Sequence, residues 1–417
     1  MSSFRQNSAA QQVIRRDNET LMPIYARYPV VMERGQGVHL FDTSGNRYLD
    51  MMAGMGVNAL GHAHPRMVAA MVEQAGKIVH LSPQYVHRYS VDLAERLCDL
   101  SGMHGVFFST GGTEAIEGAL KLARTYGRQN FTSPKDRVVA LRMSYHGRTY
   151  GSLAVTGQQK YSEDFGPSLP GTIFIDRNNI EQLREAMDGT VCAVVLEPIL
   201  GEGGVWECSA EFLAEARRLA TKFGALLMFD EIQCGLGRLG TWCAFESSGV
   251  RPDVLIFGKP LGGGIPLSAM LVTEPLFNAI GRGKHASTLG GTPMACRLGL
   301  EFISIVEDED LLSQVTDTGA YLAQGLAEIA RSTELAVESR GRGLLQALEL
   351  SIPGRPLCEA ALAEGLMLNC VQGNTLRFLP PFLLQRQHVD IAVECIGRLL
   401  SETASALDGS LATAGKA

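Results

Sequence analysis

The most chemically loaded position in this chain is a lysine that ends an apolar run. Lys259 stands in PDVLIFGKPLGGGIPLSAM, directly ahead of Pro260 and a cluster of three glycines. An ammonium there is partly desolvated, which lowers its pKa and makes it an amine nucleophile able to form Schiff bases. The competing reading is a surface lysine whose stem snorkels along apolar neighbours. Gly262, Gly263 and Gly264 permit the close approach of a ligand and favour the functional reading. A second segment, ALLMFDEIQCGLGRLG, ends an apolar run in Asp230 and Glu231. Two carboxylates abutting a buried strand are costly unless they meet a cation or hydrogen-bond donors. A bound pyridinium nitrogen would be such a partner for Asp230, and the pair would keep that ring protonated and electron-withdrawing; a strand-end Asp capping the next turn is the ordinary alternative. In the third, VFFSTGGTEAIEGALKLAR, an apolar run passes through glycines into a helix with Ala115, Ala119 and Leu122 on one face. Gly112 and Thr113 then sit at a helix N-terminus, where free N–H groups and the positive dipole end suit a phosphate. An ordinary glycine turn with Thr113 as cap explains the same residues equally well.

Other polar residues carry less. His62 and His64 in GHAHP read as turn histidines, and His146 as a positioning residue beside Tyr145. Glu114 and Glu117 are accounted for by the helix dipole. The nine histidines form no metal set of recognisable spacing. Arg377 follows an apolar run and precedes Pro380 and Pro381. A guanidinium held rigidly there can grip a carboxylate through two parallel hydrogen bonds, or form a structural ion pair.

The elements that must position these residues alternate. Between roughly 60 and 300, β-rich runs (GVFFST, VVALRM, CAVVLEP, ALLMFD, VLIFGK) exchange with helical patterns from Thr113 to Tyr126 and near Ala210 to Phe223. That is the α/β signature of a mainly parallel sheet covered on both faces. Ligands of such sheets bind beyond the carboxyl ends of the strands, where the loaded segments fall. From about Glu301 the pattern becomes helical, then strand-like in VESRGRGLLQALEL and TLRFLPPFLL, then helical again. This predicts a smaller C-terminal α+β unit, to which VVMERGQGVHLFD and RYLD add strands. The small, polar ending LDGSLATAGKA predicts a frayed tail.

Composition bounds the function. A net charge of -7 with no Lys/Arg-rich block argues against nucleic-acid and anionic-membrane surfaces, leaving a small molecule as the expected substrate. The 46 glycines, about 11% of the chain against a typical ~7%, concentrate in short loops, where function is to be sought. The polar first twenty residues and the lack of a long apolar stretch predict a cytoplasmic protein. The nine scattered cysteines read as reduced thiols.

Taken in order, these segments resemble the class III branch of the fold type I aminotransferases, the group of acetylornithine, ornithine and 4-aminobutyrate aminotransferases. The resemblance runs over nearly the whole chain: YARYPVVMERGQGVHLFDTSGNRYLD, GVNALGHAHP, the glycine turn, SYHGRTYGSLAVTG, LEPILGEGGV, FDEIQCGLGRLG, FGKPLGGGIP, HASTLGGTPMAC, GRGLLQALEL and LRFLPP. It implies a large domain with a mainly parallel seven-stranded sheet (residues 59–305) and a small α+β domain built from both chain ends (1–58 and 306–417). It implies pyridoxal 5'-phosphate held as a Schiff base on Lys259, which then serves as general acid and base. Asp230 pairs with the pyridinium nitrogen, Gln233 with the ring hydroxyl, Gly112 and Thr113 with the phosphate, and Tyr145 with the ring face. Thr288 reaches the phosphate of the other subunit, which makes the active unit a homodimer with shared sites. Arg148 takes the far carboxylate of either substrate. Glu202 masks Arg377 while a distal amine reacts, then frees it for the α-carboxylate of 2-oxoglutarate, and Tyr25 touches substrate. LMLNCVQGNTLRFLPPFLL and GVNALGH point to N2-acetylornithine as donor, with succinylornithine, ornithine and 4-aminobutyrate as alternatives. An aminomutase is disfavoured by Arg377 and Glu202, and a non-catalytic binding protein by the presence of Lys259 and Asp230. The chain departs from the family pattern at Thr110-Gly111, in place of Asn-Ser, at Leu200, often Gln, and at Gly258, commonly Ala.

Overall fold

The structure is a computed structural model and describes residues 7–414. Helix α1 (Ser8–Thr20) starts where the Asn7 side chain accepts from the Ala10 N–H at 2.8 Å. Strands β1 (Met32–Gln36), β2 (His39–Asp42) and β3 (Arg47–Asp50) form an antiparallel meander. Its second turn is held by Asp42, whose carboxylate accepts from the Ser44 and Asn46 N–H groups, both at 2.9 Å, and from the Tyr48 hydroxyl at 3.0 Å. A short turn, α2 (Ala53–Gly56), follows, with Gly54 and Met55 in the left-handed region.

Helices α3 (Pro65–Ala75) and α4 (Arg88–Ser101) lead into β4 (Gly105–Ser109), α5 (Gly112–Gln129), β5 (Arg137–Leu141), α6 (Tyr150–Ala154), β6 (Thr172–Ile175), α7 (Ile180–Ala186) and β7 (Val191–Leu196). A small hairpin of β8 (Ile199–Leu200) and β9 (Trp206–Glu207) precedes α8 (Ala210–Phe223), β10 (Leu226–Asp230), β11 (Val254–Phe257), β12 (Ser268–Val272) and α9 (Pro293–Asp308). The seven large strands form one sheet in the order β4-β12-β11-β10-β7-β5-β6. Six run the same way; β12 is antiparallel to both β11 and β4. The link from Gly258 to Leu267 is too short for the helical crossover that a parallel strand needs, so the chain returns antiparallel. Every residue of β7, β10, β11 and β12 is buried, as a sheet covered on both faces requires. Helix α5 lays Ala115, Ile116, Ala119, Leu122 and Ala123 into a core with Val138, Val195, Met228 and Ile256. Its small residues let the helix axis approach the sheet, and each fully buried Ile, Leu or Val contributes roughly 1.5–3 kcal/mol.

The chain ends in α10 (Leu311–Ser332), β13 (Ala336–Arg342), β14 (Leu345–Leu350), α11 (Arg355–Ala363), β15 (Leu366–Met367), β16 (Asn369–Val371), β17 (Thr375–Phe378) and α12 (Arg386–Ala414). Strands β13-β14-β17-β16 form an antiparallel sheet, and β15 pairs in parallel with β3, so both chain ends build one unit. Two compact units result, Met1–His64 with Thr316–Ala417, and Pro65–Val315. The sequence reading drew its boundaries at 58/59 and 305/306.

One expectation is corrected. The ending LDGSLATAGKA does not fray from its first residue; α12 continues to Ala414, because Leu and Ala are good helix formers and extend an established helix at little cost. The last three residues lie outside the described residues. No described helix is long and apolar enough to cross a membrane.

Candidate active site

The parallel strands deliver their carboxyl ends to one edge of the large sheet. Strand β10 ends on Asp230, 4% exposed, which no apolar environment tolerates without partners. Two meet it. The Ile232 N–H donates to Oδ1 at 3.0 Å, and Nδ1 of His146, from the loop after β5, lies 2.7 Å from Oδ2. Burial opposes a charge on His146, yet the hydrogen bond and charge of Asp230, helped by Glu197, outweigh it and raise the imidazole pKa above its ordinary value. Glu197, just past β7, completes a buried trio. Burial is the main cause that pushes its carboxyl up to about 7, while it accepts from the Tyr145 N–H at 2.7 Å and the Gly201 N–H at 3.3 Å. Glu231 faces elsewhere and accepts from the Ala244 and Phe245 N–H groups at 2.5 and 2.9 Å. The two adjacent carboxylates thus have different jobs, one toward the site and one holding the following loop.

Lys259 opens a 3-10 turn directly after Gly258 and takes φ +37°, a left-handed conformation costly for a residue with a Cβ. It is half-buried. Gly258 packs tightly on its neighbour: a Cβ there would stand 3.1 Å from Ile232 Cγ2, so the isoleucine would have to give by a few tenths of an ångström. The same isoleucine closes on the glycine turn, where a Cβ on Gly112 would come to 2.6 Å from its Cδ1. Ile232 therefore links the lysine segment to the N-terminus of α5. That N-terminus has Gly111 as its cap residue, with no side-chain cap and open space where a Cβ would be. The hydroxyl of Thr113 lies 2.8 Å from that of Thr149 and 2.7 Å from that of Ser152. A lysine amine, a buried carboxylate–imidazole pair and an uncapped helix start around one strand edge fit an aromatic phosphate cofactor.

The sequence profile described as "Aminotransferase class-III" matches residues 23–400. The acetylornithine aminotransferase 1 of Bordetella bronchiseptica is 41% identical over 387 residues, covering 92% of this chain and 98% of that protein. The acetylornithine aminotransferase of Caldanaerobacter subterraneus subsp. tengcongensis is 38% identical over 388 residues, covering 93% and 98%. The crystal structure of the ornithine aminotransferase from Toxoplasma gondii ME49 superposes with a TM-score of 0.92 at 30% identity, covering 96% and 97% of the two chains. This chain belongs to the class III aminotransferases.

As a class III aminotransferase it takes an amino donor and a keto acid, and its cofactor is pyridoxal phosphate. The uncapped helix start, the open space at Gly111 and the buried Asp230 fit that group. The remaining residues fall as follows. Gln233 is buried in the turn after β10 and pressed against Gly201, whose Cβ would overlap its Oε1. Tyr145 and Arg148 share the loop after β5, with Arg148 Nε donating to the Tyr145 hydroxyl at 3.4 Å. Thr288 is exposed on a cavity of about 380 Å³ lined also by Thr110, Glu114, Glu117 and His285. Glu202 is half-buried in the β8–β9 turn.

Arg377 and Tyr25 lie in the other unit. Arg377, on β17, is 1% exposed and donates to Asn369 Oδ1 at 2.8 Å and Met55 Sδ at 3.4 Å. Tyr25 is 72% exposed. His62 reads structurally, 2.8 Å from Asp50 Oδ2, while Asp50 Oδ1 accepts from the Met52 and Ala53 N–H groups. Sequence reasoning missed Glu197 and Ile232, and assigned Glu114 and Glu117 to the helix dipole alone. Glu117 in fact accepts from the N–H groups of Gly151 and Ser152 at the start of α6, and Glu114 from that of Thr110.

Proposed function

We propose that this aminotransferase moves the distal amino group of N2-acetylornithine to 2-oxoglutarate, yielding the semialdehyde and glutamate. Relatives named acetylornithine aminotransferases, 36–41% identical over more than nine-tenths of the chain, support this donor. The chemistry rests chiefly on one observation, the Asp230–His146 pair at 2.7 Å beneath the strand edge that also carries Lys259. Pyridoxal phosphate, when bound, supplies the aldehyde that takes up an amine and the protonated ring that draws electrons from it. Lys259 Nζ would hold that group, and its amine, once free, would carry the proton given up by the carbon bearing the substrate's amino group. Asp230 would keep the ring nitrogen protonated, and His146, 2.7 Å from its Oδ2, would hold the carboxylate in place. Gly112 and Thr113 would hold the phosphate at the dipole end of α5, Gln233 the ring hydroxyl, and Tyr145 the ring face. Arg148 takes the far carboxylate of either substrate, Arg377 the α-carboxylate of 2-oxoglutarate, and Tyr25 contacts the donor.

The active unit in this reading is a homodimer in which Thr288 serves the partner's phosphate. Exposed apolar residues of the large unit, among them Val72 at 69%, Tyr85 at 67%, Val86 at 86% and Leu289 at 54%, support self-association. A cytoplasmic setting is supported by nine cysteines that are all free. The deciding experiment is a donor panel at fixed 2-oxoglutarate, following glutamate. N2-acetylornithine should exceed ornithine, succinylornithine and 4-aminobutyrate in kcat/KM; equal rates with 4-aminobutyrate or ornithine would overturn the donor. In single-turnover work Arg377→Ala should slow the half-reaction with 2-oxoglutarate most, and Glu202→Ala should improve reaction with glutamate relative to the distal-amine donor.

A further inference from the structure

The loop carrying Tyr145 and Arg148 does not stand alone. After α6 the chain turns back at Gly157 and lies flush against the end of β5, so closely that a Cβ on Gly157 would come to 2.0 Å from the Leu141 carbonyl oxygen. The Met143 N–H donates to the Gly157 carbonyl at 2.9 Å, and the Gly157 N–H to Ser144 Oγ at 3.1 Å. The next residue, Gln158, is buried and donates through Nε2 to the Met143 and Ser144 carbonyls at 3.1 and 3.3 Å. A 3-10 turn then places Tyr161, its N–H on the Gln158 carbonyl at 3.0 Å. The links of Gly157 and Gln158 tie the segment to residues 141–144, and the turn bond carries that hold on to Tyr161. The consequence is a fixed ring: the Arg148 guanidinium carbon lies 4.0 Å from the Tyr161 centroid, and Tyr161 meets Tyr145 edge-to-face at 5.8 Å.

Arg148 is itself exposed and, apart from this ring, is guided by a 3.4 Å bond to the Tyr145 hydroxyl. A long exposed arginine ordinarily loses much rotamer freedom when it binds an anion, and a planar guanidinium stacked on an aromatic face has lost that freedom beforehand. We propose that Tyr161 is a positioning residue for substrate recognition: its ring, stapled to the end of β5 through Gly157 and Gln158, holds the Arg148 guanidinium flat and aimed for a substrate carboxylate. This rests on the assignment of Arg148 to the far carboxylate. It makes Tyr161 a determinant of affinity for carboxylate substrates in both half-reactions, without a part in proton transfer.

The test uses the cofactor-loaded enzyme and glutarate, a dicarboxylate that cannot react, with binding measured by calorimetry. Tyr161→Leu should weaken glutarate about fivefold and raise KM for donor and acceptor by a similar factor, with kcat and the cofactor's absorption spectrum within twofold and unchanged, respectively. Tyr161→Phe keeps the ring and should stay within about twofold of the parent. Arg148→Gln should weaken glutarate further, and adding Tyr161→Leu to it should cost nothing more, because the ring acts only through the guanidinium. Tyr161→Gln serves the same purpose if the leucine variant does not fold. Unchanged glutarate affinity in Tyr161→Leu alongside a loss in Arg148→Gln would overturn the positioning role, as would two losses that add. An unchanged affinity in Arg148→Gln would instead overturn the assignment of Arg148 beneath it, and the proposal with it.

Discussion

Lys259 and Asp230 occupy positions that cost the fold something. The lysine sits at φ +37° directly after Gly258, which packs on Ile232, and the aspartate is buried against a histidine. Residues kept under such strain are expected where chemistry is done, and removing them should spare the fold. Lys259→Ala should retain its thermal midpoint within a few degrees, lose the lysine-linked cofactor absorption, and lose at least ~10²–10⁴-fold in turnover, the range of a lost proton-transfer group. Borohydride reduction followed by peptide mapping checks the assignment, and a labelled peptide lacking Lys259 would refute it. Asp230→Asn keeps the shape and removes the charge. Its turnover should fall by about 10²-fold or more, the usual size of a lost electrostatic contact to developing charge. Wild-type rates in that variant would end the proposed role.

At the scale of elements, the ends of β5, β7 and β10 bring His146, Glu197 and Asp230 into one buried cluster. The Glu197 carboxyl titrates near 7 in the folded chain and near 4.5 unfolded, so between these values the folded state binds more protons. Stability must then fall as pH rises through that window, since the slope follows the excess of protons bound by the unfolded state, here negative. The raised His146 acts in the same direction: its contribution is full below its unfolded pKa and is lost as pH rises through the folded one. Urea midpoints taken between pH 4.5 and 8 should show this decline, and Glu197→Gln, which cannot ionise, should flatten it. An identical slope in the variant would mean that the decline originates elsewhere.

For the whole molecule, Thr288 lies on the surface of the large unit among Leu289 and other exposed residues, where a second copy can reach it. Light scattering should give twice the mass of the 417-residue chain. Mixed dimers of Thr288→Ala with Lys259→Ala chains discriminate further at limiting cofactor. If the sites are shared, one site in each mixed dimer keeps both its lysine and its partner threonine, and about half the parental activity returns. If each chain is self-sufficient, mixing restores nothing beyond the weak activity of Thr288→Ala.

The sequence alone determined what depends on local pattern. Apolar runs ending in Asp230 and Lys259, and the glycines leading into the Ala-rich face of α5, marked both the α/β class and the strand edge where chemistry belongs. That succeeded because buried parallel strands are continuous apolar runs and because a charge at the end of one is conspicuous. Strand β12 escaped notice, since SAMLV is short and nothing local marks its reversed direction or its insertion between β4 and β11. Tertiary structure alone decided which polar residues share partners. Glu197 stands 33 residues from Asp230 in sequence, Glu117 reaches the start of α6, and Ile232 fills the gap between two glycines that are 146 residues apart. Such pairings follow from the order and register of strands in the sheet, which no single segment encodes. Arg148 shows the limit most plainly: its charge is visible in YHGR, but the ring that orients it comes from Tyr161, and only the staple of Gly157 and Gln158 onto β5 brings the two together.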